Sequence, residues 1–445
     1  MRAYLVTLLA SCLLTGPLLL PDIEGAGQPY GSRAHASTHI PPKAPLRRGS
    51  PPAPFLFPQS FFEPTHFDDL NGWAQDDPRP ALAAFRKSCG PITRGQDLGT
   101  PPRRIFTALK PICARAARLP ASPTEARARA FFEKEFRPFI ISAVDQPYGF
   151  LTGYYEPEVE GSRTRTDEYA TPLYRRPPDL IVQAPPKDAP PSNKGAAYRM
   201  VDGALVPYHD RAAIDDGALS DKGLEVAWIK DPADAFFSHI QGSVRVRLPD
   251  GEVLRLNYDG HNGQTYTPIG RLLVERGLVP REKMSMDAIR AYITDHPAEG
   301  RELMRQNRSY IFFREATELK AGDGAVGAQG LPLTDGRSIA VDKVIHVYGT
   351  PFFIDAQLPL TQAGVNEPFE KLMIAQDTGS AIIGPARADI FFGAGKEAGS
   401  TAGRIQHPGR FAVLLPRALD PSKVRAPLPM PRPRDMPAAT VSDTQ

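Results

Sequence analysis

The chain has 445 residues, including 48 prolines, 37 glycines and only 3 cysteines, with a formal net charge of +3. Hydrophobic residues at 41% and charged residues at 23% belong to a folded soluble protein of about two to three domains. They exclude a polytopic membrane protein, a collagen, a disulfide-dense miniprotein and a wholly disordered chain, and 53 basic against 50 acidic residues with no basic block exclude a nucleic-acid binder.

The first element is an address. Met1-Arg2 precedes an apolar run from Ala3 to Leu20, and Gly25-Ala26-Gly27 forms a small-residue exit, so residues 1–27 read as a secretory signal segment. Pro17 argues against an uncleaved spanning helix. Leu9-Ala10-Ser11-Cys12 has the form of a lipobox, yet the residues after Cys12 stay apolar where a lipoprotein turns polar. Lipidation of Cys12 and cleavage near Gly27 are therefore both open. Residues 28–64 read as a Pro-rich linker and 418–445 as a Pro-rich tail, because neither can bury enough apolar surface to offset its ordering entropy. The expected location is periplasmic, with outer-membrane association open.

A helical section follows. Leu82, Phe85 and Cys89 share one helical face, and Ser122-Pro123-Thr124-Glu125 predicts a capping box opening a helix through Phe131, Phe132 and Phe136. An exported chain keeps Cys89 and Cys113, and two cysteines in an oxidising compartment are expected to be bridged. Closing that loop contributes about 3 kcal/mol.

From Phe150 the texture changes to strands and turns. Val244, Val246 and Leu248 alternate with Arg245 and Arg247, turn at Pro249-Asp250-Gly251 and return through Leu254, Leu256 and Tyr258, which predicts an antiparallel hairpin. Short helices are expected around Ser285–Ile293 and from Pro297. Strand texture resumes in SYIFFRE, RSIAVD, VIHVYGTPFFID, EKLMIAQD and FAVLLP, after Ser309. Short strands with Gly-rich turns predict a barrel or sandwich, in two β-rich bodies divided near residues 158 and 306.

The chemistry narrows by elimination. The sequence contains no GxSxG, HExxH or CxxC, and Gly393-Ala394-Gly395-Lys396-Glu397 lacks the spacing of a phosphate loop. Three aspartates remain, each at the end of an apolar run: Asp342, Asp377 and Asp389. Any one alone reads as a turn cap; three in one stretch point to chemistry, because acids beside apolar strands are costly unless hydrogen-bonded or used. Asp377-Thr378-Gly379-Ser380 also has the aspartic-protease form, but those enzymes need two such aspartates and this chain has one D-T-G.

Phe150–Pro157 (FLTGYYEP) resembles the FTGYYEP-type segment of the membrane-bound lytic murein transglycosylase A family. AWIKDPADAFFSHIQGS (Ala227–Ser243), YDGHNGQTYTPIGRLL (Tyr258–Leu273), MSMDAIR (Met284–Arg290), NRSYIFF (Asn307–Phe313) and AQDTGSAIIGPARADIFFG (Ala375–Gly393) are similar to its segments in the same order. The resemblance implies a mainly β fold: a double-psi β-barrel with a second, inserted β-barrel and N-terminal helices. Residues 65–157 and 307–417 would form the catalytic barrel and 158–306 the inserted body.

The resemblance further implies cleavage of the β-1,4 bond between N-acetylmuramic acid and N-acetylglucosamine, leaving 1,6-anhydromuramic ends. A glycan-binding scaffold and a muramidase-type hydrolase are the alternatives. Asp389 matches the family's catalytic acid, and Asp377 and Asp342 its companion aspartates. Thr152, Tyr154, Gln241, Ser243 and Tyr266 are the expected glycan contacts. Tyr155 and Trp228 are further candidates; for each of these aromatics, Tyr154 and Tyr266 included, core packing is the alternative, favoured for Trp228 because it follows Leu224 and Val226 on one face of an alternating run. Two departures from the family pattern, Ser380 with Ile383 and Val244, touch local substrate contacts. No metal or organic cofactor is required. The expected partners are peptidoglycan glycan strands, with membrane association open, no nucleic acid, and a monomeric state.

Overall fold

The computed structural model describes residues 55–57, 60–96, 103–144, 146–183, 196–361, 365–379 and 381–420. The signal segment, the tail from 421, most of the linker and Ser380 lie outside them. Among the described residues no helix is long and apolar enough to cross a membrane.

Two bodies are built mainly of strands. In the first, Gly149–Glu156 runs parallel to Arg387–Ala394, which is antiparallel to Ser338–Val341. Ser338–Val341 runs parallel to Glu367–Asp377, and Glu367–Asp377 is antiparallel to Pro351–Leu358. Gln406–Pro416 then pairs with Pro351–Leu358 on one side and returns to Gly149–Glu156 on the other. That last pairing closes a six-stranded barrel, with two parallel pairs, around Leu151, Ile339, Phe352, Met373, Ile390 and Phe411. The far half of Gln406–Pro416 carries a further strand, Phe136–Ser142.

The second body is a six-stranded sheet running Ile311–Glu315, Val253–His261, Ser243–Arg247, Glu158–Ser162, Glu225–Ile229 and Thr171–Tyr174. Its end strands meet through a bridge between Arg175 and Phe313. The sheet thus takes its last strand from residues beyond 306. The predicted hairpin is present, with Val244 opposite Leu256 and Val246 opposite Leu254, all buried. Tyr258 departs from the alternation and is exposed, next to the point where the pairing shifts between Tyr258 and Gly260.

The N-terminal helices Arg79–Arg94 and Arg103–Ala117 are joined by a disulfide between Cys89 and Cys113, with Cα atoms 5.2 Å apart. They cover one side of the first barrel through Leu82, Phe85, Leu109 and Ile112. The third helix spans Glu125–Glu135, and its cap is Thr124 rather than Ser122: the Thr124 side chain accepts from Arg127 N. Pro123 therefore precedes the cap, and Phe136 begins the next strand instead of continuing the helix.

Of the run VIHVYGTPFFID only the part from Pro351 is a strand. Asp342 captures the rest as a turn: its carbonyl accepts from Ile345 N and His346 N and its carboxylate from Val344 N, while Gly349 turns the chain at φ +87.

Candidate active site

The register of four strands sets one row across the barrel wall: Thr152 lies opposite Asp389, Asp389 opposite Ala340, and Ala340 opposite Asp377. Residues in register project from the same face of a sheet. The two aspartates therefore sit two strand spacings apart, roughly 9–10 Å between backbones, with only a methyl group between them. A bulge makes this possible. Ile339 pairs with Ala375 and Ala340 with Asp377, so Gln376 is the extra residue. Its side chain turns away into the helices, donating to Ala84 O at 3.0 Å and Ser88 Oγ at 2.9 Å. Asp377 is thereby aimed into the row.

Asp389 is half-buried, at the centre of a strand whose neighbours Ile390 and Phe391 are wholly buried. Burial raises its carboxyl above the ordinary 3.8; the Arg387 charge and a hydrogen bond from Thr152 pull it down, and the Asp377 charge pushes it up again. The Thr152 hydroxyl donates to Asp389 Oδ1 at 2.7 Å, and Arg387 Nη2 donates to that hydroxyl at 2.8 Å. Residues at i and i+2 of a strand share a face, which puts Arg387 and Asp389 on one side.

Asp377 accepts from Tyr154, Ala328 and Thr378. Tyr154 Oη reaches Oδ2 at 2.7 Å, while Ala328 N and Thr378 N each reach Oδ1 at 2.8 Å. Burial, the Asp377 charge and that hydrogen bond push the Tyr154 phenol well above its usual range, so it stays a neutral donor. Its ring packs on Phe391, with centroids 5.3 Å apart.

Asp342 is buried and its carboxylate is consumed by backbone: Val344 N at 2.9 Å on Oδ1 and Gly384 N at 2.9 Å on Oδ2. His346 adds a second staple, with Nε2 2.8 Å from Pro385 O and its pKa pushed down to about 4 by burial, so it is neutral and donates. Both contacts fix the loop that leads into the Asp389 strand.

The LTGYYEP segment needs its glycine for packing. A Cβ on Gly153 would lie 2.8 Å from the Ala402 backbone, so the strand can press against the Gly395–Ala402 helix only without one. Beyond it, Gln241 Oε1 accepts from Tyr155 N at 3.2 Å, which brings the end of the Pro232–Gln241 helix of the second body against this strand. Ser243 is buried at the start of the next strand. Tyr155 is buried with its hydroxyl near Met286 Sδ, and Trp228 is partly buried under the Arg165 guanidinium. Tyr266 lies in the loop before Ile269–Glu275, in the electrostatic neighbourhood of Arg211, and is not part of the aspartate row.

Two buried charged side chains beside these residues escaped the sequence reading. Arg387 was visible only as the partner at i−2 of an acid. Glu156, within the GYYEP motif, joins the two bodies: Arg245 Nε donates to Oε2 at 2.8 Å, Arg255 Nε to Oε1 at 3.1 Å and Arg255 Nη2 to Oε2 at 2.9 Å. It is 1% exposed.

Residues 150–314 match the family model described as MltA specific insert domain, and residues 337–415 match the one described as 3D domain. The chain is 36% identical over 267 residues to the membrane-bound lytic murein transglycosylase A of Escherichia coli (strain K12), an alignment spanning 59% of this chain and 65% of that relative's length. Among solved structures it is similar to a membrane-bound lytic murein transglycosylase from Agrobacterium tumefaciens, 40% identical with a TM-score of 0.71, covering 80% of this chain and 98% of the other. A structure of MltA from E. coli with bound chitohexaose superposes with a TM-score of 0.56 at 28% identity, covering 84% of this chain and 97% of that one.

Proposed function

The chain belongs to the membrane-bound lytic murein transglycosylase A family, and from that premise we propose that it cleaves peptidoglycan strands between N-acetylmuramic acid and N-acetylglucosamine without water, with Asp389 as the single acid and base. The observation that carries the proposal is a half-buried carboxyl with a raised pKa, set in a row with a second, fully hydrogen-bonded aspartate.

Protonated Asp389 gives its proton to the glycosidic oxygen as the bond from C1 to that oxygen breaks, and N-acetylglucosamine leaves with a free 4-hydroxyl. The resulting carboxylate takes the proton of the muramic 6-hydroxyl while that oxygen bonds to C1. The acid is restored and a 1,6-anhydro ring remains. Attack within one bound sugar gains from effective concentration, so no second carboxylate has to hold a water molecule. Asp377 acts electrostatically: its negative charge keeps the proton on Asp389 and favours the cationic character that develops at C1. A hydrolase would need a base free to activate water, and both Asp377 oxygens already accept hydrogen bonds.

Asp342 is the structural member of the three, holding the loop at Gly384. The glycan lies between the aspartate row and the inserted body, where Gln241 and Tyr155 meet. Residues 65–157 and 307–417 hold the acid, and the inserted body, from 158 through its last strand at Ile311–Glu315, supplies the far wall. Export by residues 1–27 and membrane association complete the proposed setting.

Digestion of purified sacculi followed by mass spectrometry tests this reading. The wild type should release 1,6-anhydromuropeptides, and Asp389→Asn should keep binding glycan while releasing none. Products heavier by one water, with reducing ends, would make the protein a hydrolase; no release by the wild type would make it a binding protein.

A further inference from the structure

We propose that Arg387 is a positioning residue that acts through Thr152: by donating to one lone pair of the threonine hydroxyl it favours the orientation in which that hydroxyl donates to Asp389 Oδ1, which leaves Oδ2 to carry the proton delivered to substrate. The proposal rests on the reading of Asp389 as the acid.

A threonine hydroxyl has one hydrogen to give. Arg387 is a donor only and cannot lose its charge, so at 2.8 Å the bond between Nη2 and Thr152 Oγ1 has one direction. The hydroxyl hydrogen must then point elsewhere, and Asp389 Oδ1 stands 2.7 Å away. With Oδ1 occupied as an acceptor, the proton of the acid form belongs on Oδ2. Without Arg387 both lone pairs of the hydroxyl are free, and it turns more readily to accept from the protonated carboxyl instead. The acid would then spend its proton on Thr152 rather than on the glycosidic oxygen.

Arg387 is itself fixed for this work. It is 8% exposed, its Nη1 donates to Ala388 O at 2.5 Å and its guanidinium lies over the Phe150 ring, 5.4 Å from the centroid. Thr152 is 1% exposed. The two hydrogen bonds of the relay thus start from side chains that are both buried.

The groups whose charge acts on Asp389 are Arg387 from its own strand and Asp377 from the strand beyond Ser338–Val341, with Tyr154 of Gly149–Glu156 also facing this cluster. Of these, Arg387 and the Thr152 bond favour the ionised carboxyl. Since the reaction begins from protonated Asp389, activity falls as pH rises through its pKa. Removing Arg387 moves that descending limb to higher pH while the maximum rate falls.

The experiment measures kcat, KM and the pH profile on purified glycan strands for Arg387→Met, Arg387→Lys, Thr152→Val and the double variant. Arg387→Met is expected to lose ~10- to 100-fold in kcat, the range for a hydrogen bond to a charged group, with KM unchanged and the descending limb displaced upward. Arg387→Lys keeps a charged donor and should recover part of the rate. In the Thr152→Val background the same Arg387→Met change should cost far less, because its route is already cut. Equal losses in both backgrounds with an unmoved limb would overturn the proposal and leave Arg387 a packing residue, as would wild-type kinetics in Arg387→Met. If Arg387→Met does not fold, the Lys variant in the two threonine backgrounds decides the same question. Absence of anhydro products from the wild type would overturn the parent reading instead.

Discussion

Tyr154 and Asp377 meet at 2.7 Å across the barrel wall, the phenol of one strand donating to the carboxylate of another, while the Tyr154 ring rests on Phe391 of the strand that carries Asp389. One side chain thus fixes the second aspartate and packs on the first aspartate's strand. Tyr154→Phe keeps the packing and removes only the donor. Because Asp377 Oδ1 stays bound to Ala328 N and Thr378 N, the variant should fold normally. It should lose roughly tenfold in kcat, the scale of one hydrogen bond to a charged group, while glycan binding holds. Steady-state kinetics on sacculi with a binding assay beside them checks both halves.

Asp389 should be a burden on the fold at neutral pH. Its folded pKa is raised above 3.8, so its contribution to stability is fully present below pH 3.8 and is lost as pH rises through the folded value. Asp389→Asn has no charge to bury and no such slope. At pH 7 the variant should therefore be the more stable protein, and its advantage should shrink as pH falls and vanish below the ordinary carboxyl value of 3.8. Urea unfolding of both proteins across that range measures it; a variant less stable at pH 7 would contradict the burial account.

Glu156 should matter to the union of the two bodies more than to chemistry. It is a buried acid shared by Arg245 and Arg255 of the second body, and burial still raises its pKa against the pull of both arginines. Removing one member of a buried ion cluster strands the rest. Glu156→Ala is expected to lose ~3–5 kcal/mol, and Glu156→Gln, which can still accept one hydrogen bond, clearly less. Unfolding followed separately by circular dichroism and Trp fluorescence should show the loss and a broadened transition in the alanine variant.

The three aspartates were legible in the sequence because an acid at the end of an apolar strand is costly and needs a reason. The place of Asp377 was not. Asp342 and Asp377 end similar runs, yet one is locked onto backbone amides and the other stands in the row, a difference set by the bulge at Gln376. Register is a property of two strands, so no local pattern announces it. The run from Val344 to Tyr348 has strand composition, but Asp342 and Gly349 turn it, a local capture that outweighs propensity. Arg387 could have been found from alternation alone, since every second residue of ARADIFFG faces the same way. The helical face of Leu82, Phe85 and Cys89 came through intact because a sixteen-residue helix has enough period to be read.

The strand Gln406–Pro416 closes the barrel by returning to Gly149–Glu156, on the far side of the whole inserted body. A chain made from its N-terminus therefore holds Gly149–Glu156 without either barrel partner while the second body is being completed. That body holds both ends of the interruption in one sheet, Glu158–Ser162 where it begins and Ile311–Glu315 where it ends, which shortens the gap the barrel must bridge. Thr152, Asp389 and Asp377 come into line only when Arg387–Ala394 arrives to pair with both Gly149–Glu156 and Ser338–Val341. The aspartate row is completed late, so a chain caught partway through its making has the inserted body and the strand of Thr152 but no Asp389 opposite it.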